Sequence, residues 1–226
     1  MLKRYIRLYP AFYFGLFGWR RRVKKLRAYK DSDLVLEGFP RSANTVAVLT
    51  LQYSNKNLKM GHHLHVPAHI KYAARHCIPC LIVIRNPIDS VVSLMVMEGG
   101  GDPKRLFKHF IDFANTILSL REHIILIPFE KVVKGRLGDG VAALNKKFGT
   151  DFKLPETSLE QRDWVEDKVR KLNLVFSSGN LEKISMPNKV KESKAAPIRK
   201  RLENEALLES KTAYKLYSEL METSDL

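Results

Sequence analysis

Cysteine is scarce: two among 226 residues, Cys77 and Cys80, too few for a disulfide framework. A redox C-x-x-C needs a helix N-terminus to lower its thiol pKa. Here Cys80 instead begins the apolar run 80–84, which reads as a buried strand. Zinc would need two further ligands, for which His62, His63, His65 and His69 lie nearby in sequence; inert packing is the expected role. Long hydrophobic runs are missing too, and no segment reaches the ~20 apolar residues that cross a bilayer. The G-x-x-x-x-G-K-[ST] pattern of a Walker loop does not occur. Nor does an internal repeat or a low-complexity tract.

Acid is absent from residues 1–30, which hold ten Lys or Arg. Of the net charge of +15, only +5 is left for the other 196 residues. A modest positive balance on that body suits an anionic ligand. Within the tail, the 11-residue stretch 9–19 is rich in aromatics and stands between Lys3, Arg4 and Arg7 and the run Arg20-Arg21-Arg22. Arginines occupy the place where a signal peptide carries its cleavage site, so that reading fails. Two readings remain: an interfacial anchor on an anionic membrane surface, or an N-terminal helix packed on the domain. The expected organisation is a basic aromatic segment, 1–30, followed by one domain, 31–226.

Strand and helix patterns alternate along that domain. Residues 34–39, 81–84 and 124–129 read as short buried strands. Helical spacing occupies 45–53, 88–95, 103–120 and 131–148. Beyond Gly149 the pattern turns helical, at 163–172 and 202–221, with a basic loop at 188–201 between. The expected fold is α/β: three layers, a mostly parallel central sheet of P-loop-type nucleotide-binding topology, and a helical C-terminal part.

Two strand-to-helix loops carry the chemistry. Gly38-Phe-Pro-Arg-Ser-Ala-Asn-Thr45 follows the first strand, where free backbone N–H groups and a helix dipole attract anions. Arg41 adds a fork able to hold two oxygens, and Ser42, Asn44 and Thr45 add short donors. Arg85-Asn-Pro-Ile-Asp-Ser-Val-Val-Ser93 leaves the next strand in the same manner, so Arg41, Arg85 and Ser93 are expected on one sheet edge. Such a site fits a ligand with two separated anionic groups.

These residues resemble the sulfotransferase family. Pro40-Arg-Ser-Ala-Asn-Thr45 looks like its 5′-phosphosulfate loop, and Arg85-Asn-Pro-x-Asp-x-x-x-Ser93 is similar to its 3′-phosphate motif. His65-Val-Pro67 looks like the segment carrying its catalytic base. Ile127-Pro-Phe-Glu130 resembles a later segment of the family, and the likeness covers roughly 34–149. Ala43 departs from a loop glycine, Asn44 from a threonine, and Val46 from an adenine-stacking tryptophan. Lys191-Glu-Ser-Lys-Ala-Ala-Pro-Ile198 fits the frame of the family's C-terminal R-K-G-x-x-G-x-W motif in degenerate form.

The resemblance implies 3′-phosphoadenosine 5′-phosphosulfate as donor co-substrate and no metal. Arg41, Ser42, Ala43, Asn44 and Thr45 would take the 5′ end, and Arg85, Ser93 and Lys191 the 3′-phosphate. Arg41 and His65 would be catalytic, with His62 and His63 as rivals for the base. The acceptor is open: a glycan, a lipid-linked group or a small molecule, met by residues 97–103 and 151–185. A cytoplasmic enzyme, peripheral at the membrane through residues 1–30, is the expected setting, and nucleic acid is disfavoured as a partner. Three alternatives stand beside it: a non-catalytic donor-binding relative, a basic membrane- or nucleic-acid-binding protein, and a P-loop small-molecule kinase. The missing Walker lysine counts against the kinase.

Overall fold

Cys80-Leu-Ile-Val-Ile84 has no polar face because it has no solvent face. The computed structural model describes residues 2–177, 189–205, 208–224 and 226, and strand β3 (Cys80–Ile84) lies at the centre of its sheet, fully buried. Four parallel strands run in the order β2 (Met60–His62), β1 (Leu34–Gly38), β3, β4 (Ile125–Pro128). The register pairs Leu36 with His62, Gly38 with Val83, and Val83 with Ile127. Strand pleating sends alternate side chains to opposite faces. Leu34, Leu36, Leu81, Val83, Ile125 and Ile127 enter one core, and Val35, Cys80, Ile82, Ile84 and Leu126 the other.

Helices cover both faces, which makes three layers. On one side lie α4 (Asn44–Ser54), α8 (Phe129–Val133) and α9 (Leu137–Phe148). Outside them, α10 (Leu159–Ser177) packs Val165 and Val169 on Leu49 of α4. The other side carries α5 (Pro67–Arg75), α6 (Pro87–Glu98), α7 (Pro103–Ser119), α11 (Lys189–Glu205) and α12 (Leu208–Glu222). From β1 the chain leaves through α4 to β2. It then returns past β1 through α5, on the opposite face, to reach β3. The connections therefore change face between β1 and β3, and the loops after these two strands splay apart there. In open α/β sheets that crevice is the ligand site.

Gly38 ends β1 where the chain is tightest. A Cβ there would stand 2.4 Å from Asn44 Oδ1 and 2.6 Å from the Val83 carbonyl oxygen, so a larger residue would push the first loop off β3.

Several expectations need correction. The basic loop 188–201 is helical: α11 starts at Lys189, and Asn188 lies outside the described residues. Its Lys, Glu and Ala content favours helix, and Ile198 and Leu202 pack on the core despite Pro197 within the helix. The expected helix 202–221 is thus the end of α11 plus α12. Residues 131–148 form two helices rather than one, parted near Gly135, whose φ of +76° suits only glycine well. Strand β2 and helix α5 had no sequence forecast, since three residues are too few for a periodic signal.

At the N-terminus, α1 (Leu2–Leu8), α2 (Pro10–Phe17) and α3 (Arg21–Leu26) lie against the domain. Tyr13, Phe14, Phe17 and Val23 pack on Leu64, Val66 and Ala68. Arg4 grips Asp112 through two 2.6 Å hydrogen bonds. The guanidinium of Arg27 stands 4.6 Å over the Phe14 ring and 5.9 Å from that of Tyr72. One face of the segment is therefore packed on the domain. No helix among the described residues is long and apolar enough to cross a membrane.

Candidate functional site

Loop 39–43 climbs out of β1 in an unusual conformation. Arg41 and Ala43, neither of them glycine, hold φ of +71° and +58°, a left-handed geometry that functional loops often retain under strain. Two contacts fix it. Arg85 Nη1 donates to the Arg41 carbonyl at 2.7 Å, and Asn44 Nδ2 donates to the Phe39 carbonyl at 3.1 Å. Helix α4 then starts after Ala43, which has no side chain to cap it. Its first N–H groups are left for an anion. Helix α6 differs, because Asn86 Oδ1 already accepts from the N–H groups of Ile88 and Asp89. The second loop therefore offers side chains rather than free amides.

Those side chains meet the first loop. Arg41 Nε donates to Ser93 Oγ at 3.0 Å, and its Nη1 lies 3.6 Å from Met97 Sδ. The Arg85 guanidinium stands over the Phe129 ring, 4.2 Å from its centroid, so the start of α8 supplies the floor. Burial lowers the pKa of Arg41, helped by the neighbouring Arg85 charge. Burial also lowers that of Arg85, against the opposing pull of Asp89 and Glu130. Lys191, in the first turn of α11, is brought down to about 8 by burial and then by Arg41. Helix α11 reaches this place because it packs on α6, where Arg199 bonds Asp89 at 2.6 Å.

Four cationic or hydroxyl side chains, Arg41, Arg85, Ser93 and Lys191, therefore converge at the crevice. Three buried polar atoms there, Ser42 Oγ, Asn44 Oδ1 and Arg85 Nε, have no hydrogen-bond partner among the described residues. Burying such groups unpaired is costly. The donor set is cationic and hydroxylic, without a carboxylate. It fits a phosphate or sulfate and not a metal ion.

No family model matches the chain, and no curated protein matches it.

Beside this cationic crevice lies a histidine cluster organised by Glu37. That residue is the one charge in β1 and is fully buried. Its carboxylate accepts from the backbone N–H of Leu64 at 2.8 Å and of His65 at 3.1 Å. Since Ala28 N–H donates to His69 Nε2, the other ring nitrogen carries the hydrogen that is donated to Glu37 at 2.8 Å. Burial would raise the Glu37 pKa, yet these hydrogen bonds and the nearby imidazoles hold it down to about 2. Nothing in the periodicity of 34–39 singled this residue out; a lone glutamate inside an otherwise apolar strand was the available signal.

His65 holds φ of +54°, with Nδ1 2.7 Å from the Gly38 carbonyl. A carbonyl only accepts, so Nδ1 bears the hydrogen and Nε2 is left with its lone pair. Burial lowers the His65 pKa, which keeps that lone pair open at neutral pH. The cleft beside it is lined by Arg4, Arg7, Leu8, Pro67, His109 and Asp112. His63 is placed differently: its Nε2 meets Thr45 Oγ1 at 3.1 Å and its Nδ1 meets His62 Nδ1 at 2.7 Å. Both its nitrogens are occupied, and burial with the adjacent His65 and His62 brings it down to about 3. Of the three rivals, His63 has both ring nitrogens engaged, whereas His62 and His65 each have only Nδ1 engaged.

The remaining forecast residues divide by role. Thr45 is tied to His63. The Asn44 side chain turns inward to the loop carbonyls and is 5% exposed, so it shapes the loop while its backbone starts the helix. Cys80 is inside β3, where burial raises its thiol pKa, and Cys77 is exposed in the preceding turn. In the 151–185 stretch, residues 178–185 lie outside the described residues.

Proposed function

We propose that the chain is a sulfotransferase that takes its sulfuryl group from 3′-phosphoadenosine 5′-phosphosulfate. One observation carries the reading: Arg41, Arg85, Ser93 and Lys191 converge at the β1/β3 crevice, around buried polar atoms that lack partners. The resemblance of both loops to the family's donor motifs assigns that cluster a ligand. On this reading the sheet is a P-loop-type nucleotide core in which loop 39–43 replaces the Walker loop.

The donor supplies an activated S–O bond. The acceptor oxygen or nitrogen attacks sulfur as the bond to the 5′-phosphate oxygen breaks, and the bonding pair stays with that oxygen. Arg41 and the uncapped amides of α4 face the charge that grows there. Arg85, Ser93 and Lys191 hold the 3′-phosphate, so binding far from sulfur positions the reacting end. His65 Nε2 accepts the acceptor's proton. The scheme asks for no metal.

Calorimetric titration with 3′-phosphoadenosine 5′-phosphate tests the assignment. The wild type binds it, and Ser93→Ala and Arg85→Ala each weaken binding by about ten- to a hundredfold, the worth of a hydrogen bond to a charged group. Magnesium-dependent binding of ATP in its place would instead make the chain a small-molecule kinase. Once an acceptor is in hand, His65→Ala keeps donor affinity and loses roughly a hundredfold or more in turnover. The same loss in His63→Ala, with His65→Ala unaffected, would move the base.

A further inference from the structure

The packed face of the N-terminal segment leaves the opposite face open. Helix α2, Pro-Ala-Phe-Tyr-Phe-Gly-Leu-Phe, contains no charged residue, so it is apolar on every side. A helix of that kind belongs in a protein core or in lipid, yet only Tyr13, Phe14 and Phe17 meet the domain. Leu2, Tyr5, Tyr9, Phe12, Leu16 and Trp19 are between 39% and 75% exposed. They recur at intervals of three and four, the spacing of one helical stripe. The stripe is continuous across the break before Pro10: the Tyr5 and Tyr9 rings lie 4.9 Å apart and those of Tyr9 and Phe12 6.2 Å apart. At its far end Trp19 Nε1 donates to the Leu16 carbonyl.

Cations frame the stripe. Arg20, Arg21, Arg22, Lys24 and Lys25 are exposed at and beyond its C-terminal end. None of the five forms an ion pair among the described residues. Residues 1–30 contain no acid to balance them. A contiguous exposed apolar surface marks an interaction site, and the charge beside it selects the partner. A second copy paired in parallel would bring these cations against its own, and in an antiparallel pairing its residues 1–30 would offer them no acid. Nucleic acid would satisfy the charge and leave Leu2, Phe12 and Leu16 in water.

We propose that this face docks on an anionic lipid surface, with the six apolar side chains at the headgroup–acyl boundary and the five cations on headgroup phosphates. The same helix α1 that offers Leu2 and Tyr5 outward lines the His65 cleft with Arg4, Arg7 and Leu8. Docking therefore brings that cleft within about one helix diameter, ~10 Å, of the headgroups. The docking itself does not depend on what the crevice binds.

Flotation of the full chain with vesicles is the test, using phosphatidylcholine alone and phosphatidylcholine with phosphatidylserine. The wild type floats with the anionic vesicles, and far less with the neutral ones. On anionic vesicles its tryptophan emission shifts to the blue, and Trp19→Phe removes that shift. Combined Phe12→Ser, Leu16→Ser and Trp19→Ser weakens binding by roughly a hundredfold or more. Combined Arg20→Gln, Arg21→Gln and Arg22→Gln costs about fivefold per cation and blunts the salt dependence. The glutamine variant changes only exposed charges, so it tests the proposal even if the serine variant fails to fold. Absence of flotation, or equal flotation by both variants, would overturn the proposal. So would a dimer dissolved by the serine substitutions, or retention on nucleic acid in place of vesicles.

Discussion

Ala43 and Arg41 hold left-handed backbone that costs an L-residue roughly 1–2 kcal/mol each. The loop keeps this shape because Arg85 and Asn44 hold its carbonyls. Ala43→Gly relieves the strain without touching those bonds. It should raise stability by about 1 kcal/mol, a melting rise of roughly 2–4 °C for a chain of this size, with donor affinity unchanged. A lower melting temperature would mean that the alanine methyl packs more than it strains. Lys191 gives a second prediction at this scale. With its pKa near 8, it is cationic below that pH and neutral above it, and an anion binds the cationic form better. Affinity for 3′-phosphoadenosine 5′-phosphate should therefore fall as pH rises through about 8, and proton uptake on binding should be measurable in buffers of different ionisation heat. Lys191→Met should bind more weakly below pH 8 and lose the uptake. An unchanged pH profile in that variant would remove Lys191 from the site.

Elements decide how those residues meet. Phe39, at the root of the anion loop, stacks edge-on with Phe110 of α7 at 5.2 Å and lies 6.3 Å from Phe113; both α7 rings are fully buried. Phe110→Ala should cost about 3–5 kcal/mol in denaturant unfolding and should also weaken donor binding, because the loop loses its anchor. Normal donor affinity in the destabilised variant would show that the loop stands without α7. The sheet alternation, the two strand-to-helix loops and the face of α6 were legible in the sequence because each rests on local periodicity or on a strand–loop–helix order. Helix α11 was not, because its charged run also reads as solvated loop, and only its docking on α6 fixes it as helix near Arg41. Glu37 stayed hidden for a similar reason. Its partners, the Leu64 and His65 amides and His69, come from 27 to 32 positions away, and no spacing rule connects them.

Over the whole molecule, acid should unfold this protein from two directions that act with the same sign. His63 has a folded pKa of about 3 against an ordinary 6.5, and Glu37 about 2 against 4.5. In both cases the unfolded chain takes up protons more readily. Stability is then full above the unfolded pKa and falls as pH drops, first between about 6.5 and 3, then between about 4.5 and 2. The Glu37 share is on the order of 3 kcal/mol. Melting temperature followed from pH 8 to pH 3 should decline from below about 6.5, and His63→Gln should flatten the upper part of that decline. A flat wild-type profile down to pH 4 would contradict the buried-histidine account. The claim that joins the parts is that a doubly phosphorylated adenosine sits in the β1/β3 crevice. A crystal structure of the complex with 3′-phosphoadenosine 5′-phosphate tests it most directly. The 5′-phosphate should lie on the N-terminus of α4 beside Arg41, and the 3′-phosphate within hydrogen-bond reach of Arg85 and Ser93. A nucleotide bound elsewhere, or one touching only one of the two loops, would contradict it.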